Sequence, residues 1–378
     1  MRGNKLAKYV DKFFGIPLLI LFSFFRKEKN PIEKIQKILI IKLSALGDTI
    51  LLLPVIKTLK ENYPSSKIGM VVTEINKSIA EKCDYIDNIF EFKPEEFIKN
   101  PLKLLKFIKR IRREDFDIAI DADQWLRISA ILSFLSGSKI RIGFKTEGQF
   151  KHFTFTDVVP HKRNQHEIEC FFDLIKPLKL RKIDKTLELK IEEDKIIEAE
   201  NILNSLGIQK NEKFIIVHPE VPSHGFQRQW PLENFSKLIE EIIKKYNIKI
   251  LITGTKNIED FAKKMTEKNS EKIKSFLGAP IEIVSAIISK SLVLICNNTG
   301  IMHLACAIGT PVIALHGPTD PLKWGPLGNR DIIIKSDLRC SPCLYLGFEY
   351  GCLTNNCMKT IKVDKVMENV DRLLKIVI

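Results

Sequence analysis

The chain has 378 residues, with 60 Lys and Arg against 46 Asp and Glu, a formal net charge of +14. Hydrophobic content of 45% and charged content of 28% exclude a disordered chain, a collagen and a multi-span membrane protein, and eight Cys are too sparse for a disulfide scaffold. The length suits two domains, and the basic excess calls for an acidic partner: nucleic acid, an anionic membrane or an anionic substrate.

The charge is uneven from the start. Residues 1–30 carry Arg2, Lys5, Lys8, Lys12, Arg26, Lys27 and Lys29 against Asp11 and Glu28. Between the two basic clusters runs FFGIPLLILFSFF, residues 13–25, without a charge. As a helix it would be about 20 Å long, short of the ~30 Å hydrocarbon core. Pro17 works against a continuous span, and RKEKN follows directly where a signal peptide would need small residues. The pattern fits an in-plane membrane anchor. The competing reading is an N-terminal helix packed on the body of the protein.

KILIIKL at 37–43 predicts a buried parallel strand. SALGD at 44–48 predicts a tight loop, and 49–62 a helix that ends before Pro64. Further strands are expected at 67–73, 118–121 and 140–143, with helices between. The helix near 102–113 is strongly basic. Residues 178–212 turn polar and read as the inter-domain connection. A second series follows, with strands at 214–218, 248–254, 292–297 and 311–316. Its helices are expected at 232–245, 257–268, 281–289 and 300–308, with a last amphipathic helix at 363–376. The alternation indicates an α/β protein of two doubly wound parallel sheets. Two such domains in series suit a two-substrate transferase.

Four segments carry candidate chemistry. In the first loop, Gly47 permits close backbone approach, and Asp48 is expected at the helix N-cap. A carboxylate there serves equally as a cap or as a general base. At the end of the strand 214–218 stands His218, leading to Arg228, Gln229 and Trp230; a guanidinium suits bidentate phosphate contact. NNTGIMH, from Asn297 to His303, lies between a strand and a helix whose first amides form a ready anion site. Cys340, Cys343, Cys352 and Cys357 have an irregular spacing that leaves zinc ligation and loop packing both open. Cys83, Cys170, Cys296 and Cys306 read as core. Asp121 and Asp123 form an Asp-Ala-Asp of a kind that can bind metal. There is no P-loop, HExxH, GxSxG or convincing GxGxxG, and no recognised nucleic-acid motif.

Taken together and in order, these segments resemble glycosyltransferase family 9, the heptosyltransferases of lipopolysaccharide core synthesis. The likeness covers about 37–375. It rests on ILIIKLSALGDTILLLPVIKTLKENYP, IDADQWLRISAILSFLSGSKIRIGF, VHPE, RQWPLENF and NNTGIMHLACAIGTPVIALHGPTDPLKWGP. The resemblance implies a GT-B fold, with two Rossmann-like domains facing a cleft. The implied boundaries are a membrane-associating segment 1–30, an acceptor domain 31–190, a nucleotide-sugar domain 191–360 and a helix 361–378 returning to the first domain. It implies inverting transfer from an ADP-activated heptose, without a metal or other cofactor, to an anionic lipid-linked core sugar. The implied place is the inner face of the cytoplasmic membrane. Asp48 matches the family's catalytic base. His218, Arg228, Trp230, Thr253, Gly254, Asn298, Thr299, Gly300, Met302 and His303 fall on the donor side. Ser44, Gly47, Gln124, Arg127 and His166 fall on the acceptor side. Arg228 stands where the family usually has Lys, and Asn298 where it usually has Asp. Another nucleotide sugar, another acceptor, or an inactive donor-binding homologue are the alternatives these departures leave open.

Overall fold

The computed structural model describes Tyr9, residues 11–25, 34–345 and 352–377. Arg2, Lys5, Lys8, Arg26, Lys27 and Lys29, part of the expected membrane-associating segment, lie outside the described residues. The chain divides into two compact units, Met1–Thr186 and Leu187–Ile378.

The first unit runs α1 (Gly15–Ser23), β1 (Lys37–Ile41), α2 (Leu46–Asn62), β2 (Lys67–Val72), α3 (Glu74–Glu81), β3 (Asn88–Glu91), α4 (Pro94–Lys99), α5 (Pro101–Arg113), β4 (Ile118–Asp121), α6 (Arg127–Leu135), β5 (Ile140–Lys145), β6 (Asp157–Pro160) and α7 (Glu167–Ile175). Its sheet has the order β3-β2-β1-β4-β5-β6, and every pair is parallel. Central β1 is buried apart from its first residue because helices cover both faces. Gly143 in β5 admits the Phe155 ring: a Cβ there would lie 2.3 Å from it.

The second unit runs α8 (Glu193–Ser205), β7 (Phe214–His218), α9 (Leu232–Tyr246), β8 (Lys249–Gly254), α10 (Glu259–Lys268), β9 (Ile273–Leu277), α11 (Ile281–Lys290), β10 (Leu294–Asn297), α12 (Gly300–Ile308), β11 (Val312–His316), α13 (Pro321–Trp324), β12 (Ile332–Lys335), α14 (Asn356–Lys359) and α15 (Val363–Val377). Its order, β12-β11-β10-β7-β8-β9, repeats the winding of the first sheet. Helix α15, expected to return to the first domain, packs within this unit. Val366, Val370, Leu373 and Leu374 join its core, and Tyr246 of α9 donates to Asp371 at 2.6 Å. The amphipathic face of α15 is thereby buried locally.

The apolar N-terminal run forms a helix packed on the first unit. Leu19 of α1 is fully buried with Ala130, Ile131 and Phe155, and Phe22 stacks on Phe134 at 4.4 Å. Asp11 ties this segment down. Its carboxylate accepts from the amides of Arg127 and Ile128 at 3.2 and 3.0 Å and from the Arg127 guanidinium at 3.2 Å. Leu126, at the N-cap of α6, has no side-chain cap to offer, so Asp11 supplies it from outside the helix. The opposite side stays apolar: Phe13, Phe14, Leu21, Phe24 and Phe25 are exposed. No helix among the described residues is long and apolar enough to cross a membrane.

Burial pushes the Asp11 carboxyl above its usual range, against the two amides and Arg127. Asp11→Ala should still destabilise the protein, because it leaves a buried guanidinium without its carboxylate and α6 without a cap. A loss of about 3 kcal/mol is expected, seen as a lower urea midpoint. A shift worth less than about 0.5 kcal/mol, the scale of an ordinary surface change, would show that the contact carries no load.

Candidate active site

In a doubly wound sheet, ligands bind beyond the strand C-termini where the winding reverses. Those points lie between β1 and β4 in the first unit and between β7 and β10 in the second. At the first, Lys42 follows the end of β1 and is wholly buried. Its ammonium donates to Asp48 Oδ2 at 3.2 Å and to Gln124 Oε1 at 2.7 Å. It lies 3.9 Å from Asp123 Oδ2. Gln124 Nε2 donates onward to Glu167 Oε1 at 2.6 Å, and His161 Nε2 lies 3.1 Å from both Glu167 oxygens. Buried charges persist only when paired and hydrogen-bonded in this way.

Asp48 is not the N-cap that its position suggests. Thr49 N–H bonds to Ala45 O at 3.1 Å, which closes the first turn early. Helix α2 therefore starts at Leu46 with Ala45 as its N-cap, and no side chain caps it. Gly47 and Asp48 are the buried second and third residues of the helix. The carboxylate still lies in the first turn, where the helix dipole favours it, and it faces Lys42.

Asp123 secures the loop that carries Asp48. It accepts from Leu43 N–H at 3.3 Å and from the Ser44 hydroxyl at 3.4 Å. It also accepts from the amides of Trp125 and Leu126. Burial penalises its charge, but Lys42, Lys151 and those amides outweigh burial and hold it below its usual range. Asp121 pairs with Lys151 at 3.0 Å; burial pushes its carboxyl up to about 6, with Lys151 opposing. Each carboxylate of the Asp-Ala-Asp thus faces a buried lysine. Arg127 and His166 lie apart from the Lys42 bonds. Arg127 pairs with Asp11 and donates to Gly148 O at 3.0 Å. His166 caps α7, its Nδ1 accepting from Ile168 N–H at 3.3 Å.

In the second unit His218 ends β7, with Nδ1 at 3.1 Å from Thr253 Oγ1. Burial lowers its pKa to about 4, against the nearby Glu220. Gly254 ends β8, where a Cβ would meet Ile258 at 2.5 Å and Glu220 at 2.9 Å. Its absence lets Glu220 reach the Thr255 hydroxyl at 2.6 Å. Arg228 donates to Asn298 O at 3.2 Å. Thr299 is the N-cap of α12, and its buried hydroxyl has no hydrogen-bond partner among the described residues. Gly300 and Met302 follow in the first turn, then buried His303.

Two of the residues expected on the donor side are buried within the second unit. Trp230 is fully buried: its indole N–H donates to Ile361 O at 2.9 Å and its ring meets Phe235 edge-on. It is a core residue, since its one polar group is satisfied inside the unit. Asn298 is buried, and its Nδ2 donates to Trp324 O at 2.9 Å and lies 3.3 Å from His316 Nε2. An amide suits this place because a carboxylate has no hydrogen for Trp324 O. Burial, with Arg228 adding, lowers the His316 pKa to about 4.

Residues 104–353 match the family model described as glycosyltransferase family 9 (heptosyltransferase). The chain belongs to glycosyltransferase family 9. It is 25% identical over 292 residues to lipopolysaccharide heptosyltransferase 3 of Escherichia coli strain K12, covering 74% of this chain and 82% of that protein. Among solved structures, a family 9 glycosyl transferase of Veillonella parvula superposes with a TM-score of 0.77 at 20% identity, covering 92% of this chain and 99% of that one. The E. coli ADP-heptose lps heptosyltransferase II does so at 0.71 and 18%, covering 90% and 99%. The fold is GT-B, and the protein is a glycosyltransferase.

Sequence reasoning on this glycosyltransferase did not single out Lys42, His161 or His316. Lys42 left one signal, a lone charge inside an apolar strand run. The four tail cysteines divide: Cys340, Cys343 and Cys352 are exposed and Cys357 is buried.

Two measurements check this geometry. Asn298→Asp sets a carboxylate against Trp324 O and should cost about 2 kcal/mol at neutral pH, read by urea unfolding. His316 binds protons more readily unfolded than folded, so stability should fall as pH drops from about 6.5 toward 4. Its share is about 3 kcal/mol. His316→Gln should flatten that fall, and an unchanged slope would show that His316 is not held neutral.

Proposed function

We propose that this protein moves a heptose, or a related sugar, from an ADP-linked donor to a lipopolysaccharide core or other anionic glycolipid, with inversion at the anomeric carbon. The observation that carries the reading is the Asp48 carboxylate, fixed by buried Lys42 at the switch point of the first unit. In this mechanism Asp48 takes the proton of the acceptor hydroxyl. The freed oxygen attacks the anomeric carbon as its bond to the diphosphate breaks. The departing diphosphate is received by Arg228, His303 and the first-turn amides of α12, a preorganised positive field. Those groups do the work without calling on a metal. His218, Thr253, Gly254 and Asn298 shape the strand ends beside the nucleotide. Ser44, Gly47 and Gln124 shape the acceptor side, while Arg127 and His166 act by holding α6 and α7. The relatives support the donor class, being named as lipopolysaccharide and ADP-heptose enzymes.

The same reading places the protein peripherally on the inner face of the cytoplasmic membrane, in contact through residues 1–30. The exposed phenylalanines of this segment and its basic flanks support it.

Asp48→Ala should lower kcat by at least about a hundredfold with donor binding retained; a near-unchanged kcat would remove Asp48 from the role of base. In a thermal-shift panel of ADP-, UDP- and GDP-sugars, the ADP donors should stabilise most, by about 2.7 kcal/mol at a hundred times Kd. Binding without turnover on any acceptor would indicate an inactive homologue.

A further inference from the structure

Two hollows in the first unit adjoin and differ in character. The larger, of about 840 Å³, lies at the C-terminal ends of β2 and β3 and is lined by Thr73, Glu74, Lys77, Glu91, Lys93 and Lys99 among others. The smaller, about 190 Å³, is almost wholly apolar and lies between α1 and the pair α4–α5. Phe14 and Leu18 form one wall, and Phe97, Ile98 and Leu104 the other. Phe92 and Pro94 line both hollows.

The polar cavity reaches the catalytic loop. The Thr73 hydroxyl donates to Leu43 O at 3.0 Å. Asn76, beside it, donates to Lys42 O at 2.8 Å and to Thr49 Oγ1 at 2.9 Å. One wall of the polar cavity is therefore tied to the chain just before Asp48, and its far side passes over Phe92 and Pro94 into the apolar groove. Water would leave such a groove readily for hydrocarbon. Its mouth is apolar too: Phe14, Leu18 and Ile98 are exposed at 68%, 39% and 65%. Beside it α5 exposes Leu102 and Leu105 among Lys103, Lys106 and Lys109, a composition suited to an anionic lipid surface.

We propose that the groove between α1 and α4–α5 holds an acyl chain of the anionic glycolipid acceptor, whose sugars lie in the adjoining polar cavity. The assignment rests on the glycolipid acceptor proposed above. It makes α1 part of the acceptor site as well as a membrane contact. Charge complementarity selects this occupant: Lys103 is held by Glu96, while Lys106 and Lys109 of α5 meet the anionic headgroup, and the groove between them and α1 is left for the chain.

Two readouts test it. Leu18→Asp and Ile98→Asp alter opposite walls at exposed positions. Each should raise KM for the acylated acceptor by at least about tenfold, the worth of two buried methylenes, and leave KM for the deacylated sugar acceptor unchanged. An equal rise for both acceptors, or none for either, overturns the proposal. The second readout needs no turnover, so it stands even if the transfer reaction itself is not found. Ile98→Trp places a fluorophore at the groove, with Trp125, Trp230 and Trp324 subtracted using the unsubstituted protein. Quenching by a glycolipid with brominated chains in phosphatidylcholine vesicles supports the proposal. Equal quenching by brominated phosphatidylglycerol assigns the groove to bulk lipid and overturns it. So does absence of quenching, including the case where a second copy covers the groove and light scattering shows a dimer.

Discussion

A buried ammonium organises the first unit. Lys42 has no exposed surface, and stripping water from a cation costs several kcal/mol unless partners replace it. Those partners follow two separate strands: Asp48 in the first turn of α2 after β1, Asp123 and Gln124 in the turn after β4. The lysine therefore draws together the two loops that the winding of the sheet leaves apart. Glu167 and His161 extend the same order to α7 and the chain before it. Lys151 does similar work behind it, answering Asp121. The Asp48 carboxylate is held by compensation of charge, which tolerates little displacement because any gap leaves a bare ion.

The second unit has the same topology and the opposite electrostatics. Apart from the Glu220 carboxylate, which accepts from Thr255 and Asn257, its strand ends are furnished with neutral groups. His218 and His316 are both held low by burial, and Asn298 stands between His316 and the Trp324 carbonyl. An amide at 298 adds no negative charge close to Arg228, whose guanidinium bonds to the carbonyl of that same residue. With neutral histidines nearby, the positive character of the site comes from Arg228 and the α12 terminus, which suits an anion that arrives and leaves. One winding thus carries two arrangements: in one unit fixed ions hold a carboxylate, and in the other polar groups surround one guanidinium.

The central strands were legible because parallel burial demands apolar runs. KILII and FIIVH announce β1 and β7, and the NTG turn announces α12, which begins and ends as expected. Edge strands were not. NIFE, DVVP, IKSFL and IIIK are short or half-exposed, and their pairing is decided by neighbours rather than by their own pattern. The helix that carries Asp48 starts earlier than expected, because an Ala45 carbonyl rather than a polar side chain closes the first turn. Lys42 was read as part of a strand: a sequence shows a charge, while its burial depends on carboxylates far away in the chain. Trp230 misled for the converse reason, since its motif is shared with the family but its indole is turned inward.

The bond between Asp11 and α6 makes the start of one helix depend on a distant part of the chain. Helix α6 begins at Leu126–Arg127, without a capping side chain of its own, inside the region that resembles the family. Its cap comes from a segment that lies before that region. A version beginning at β1 would start helix α6 with two bare amides and leave the buried Arg127 guanidinium without its carboxylate.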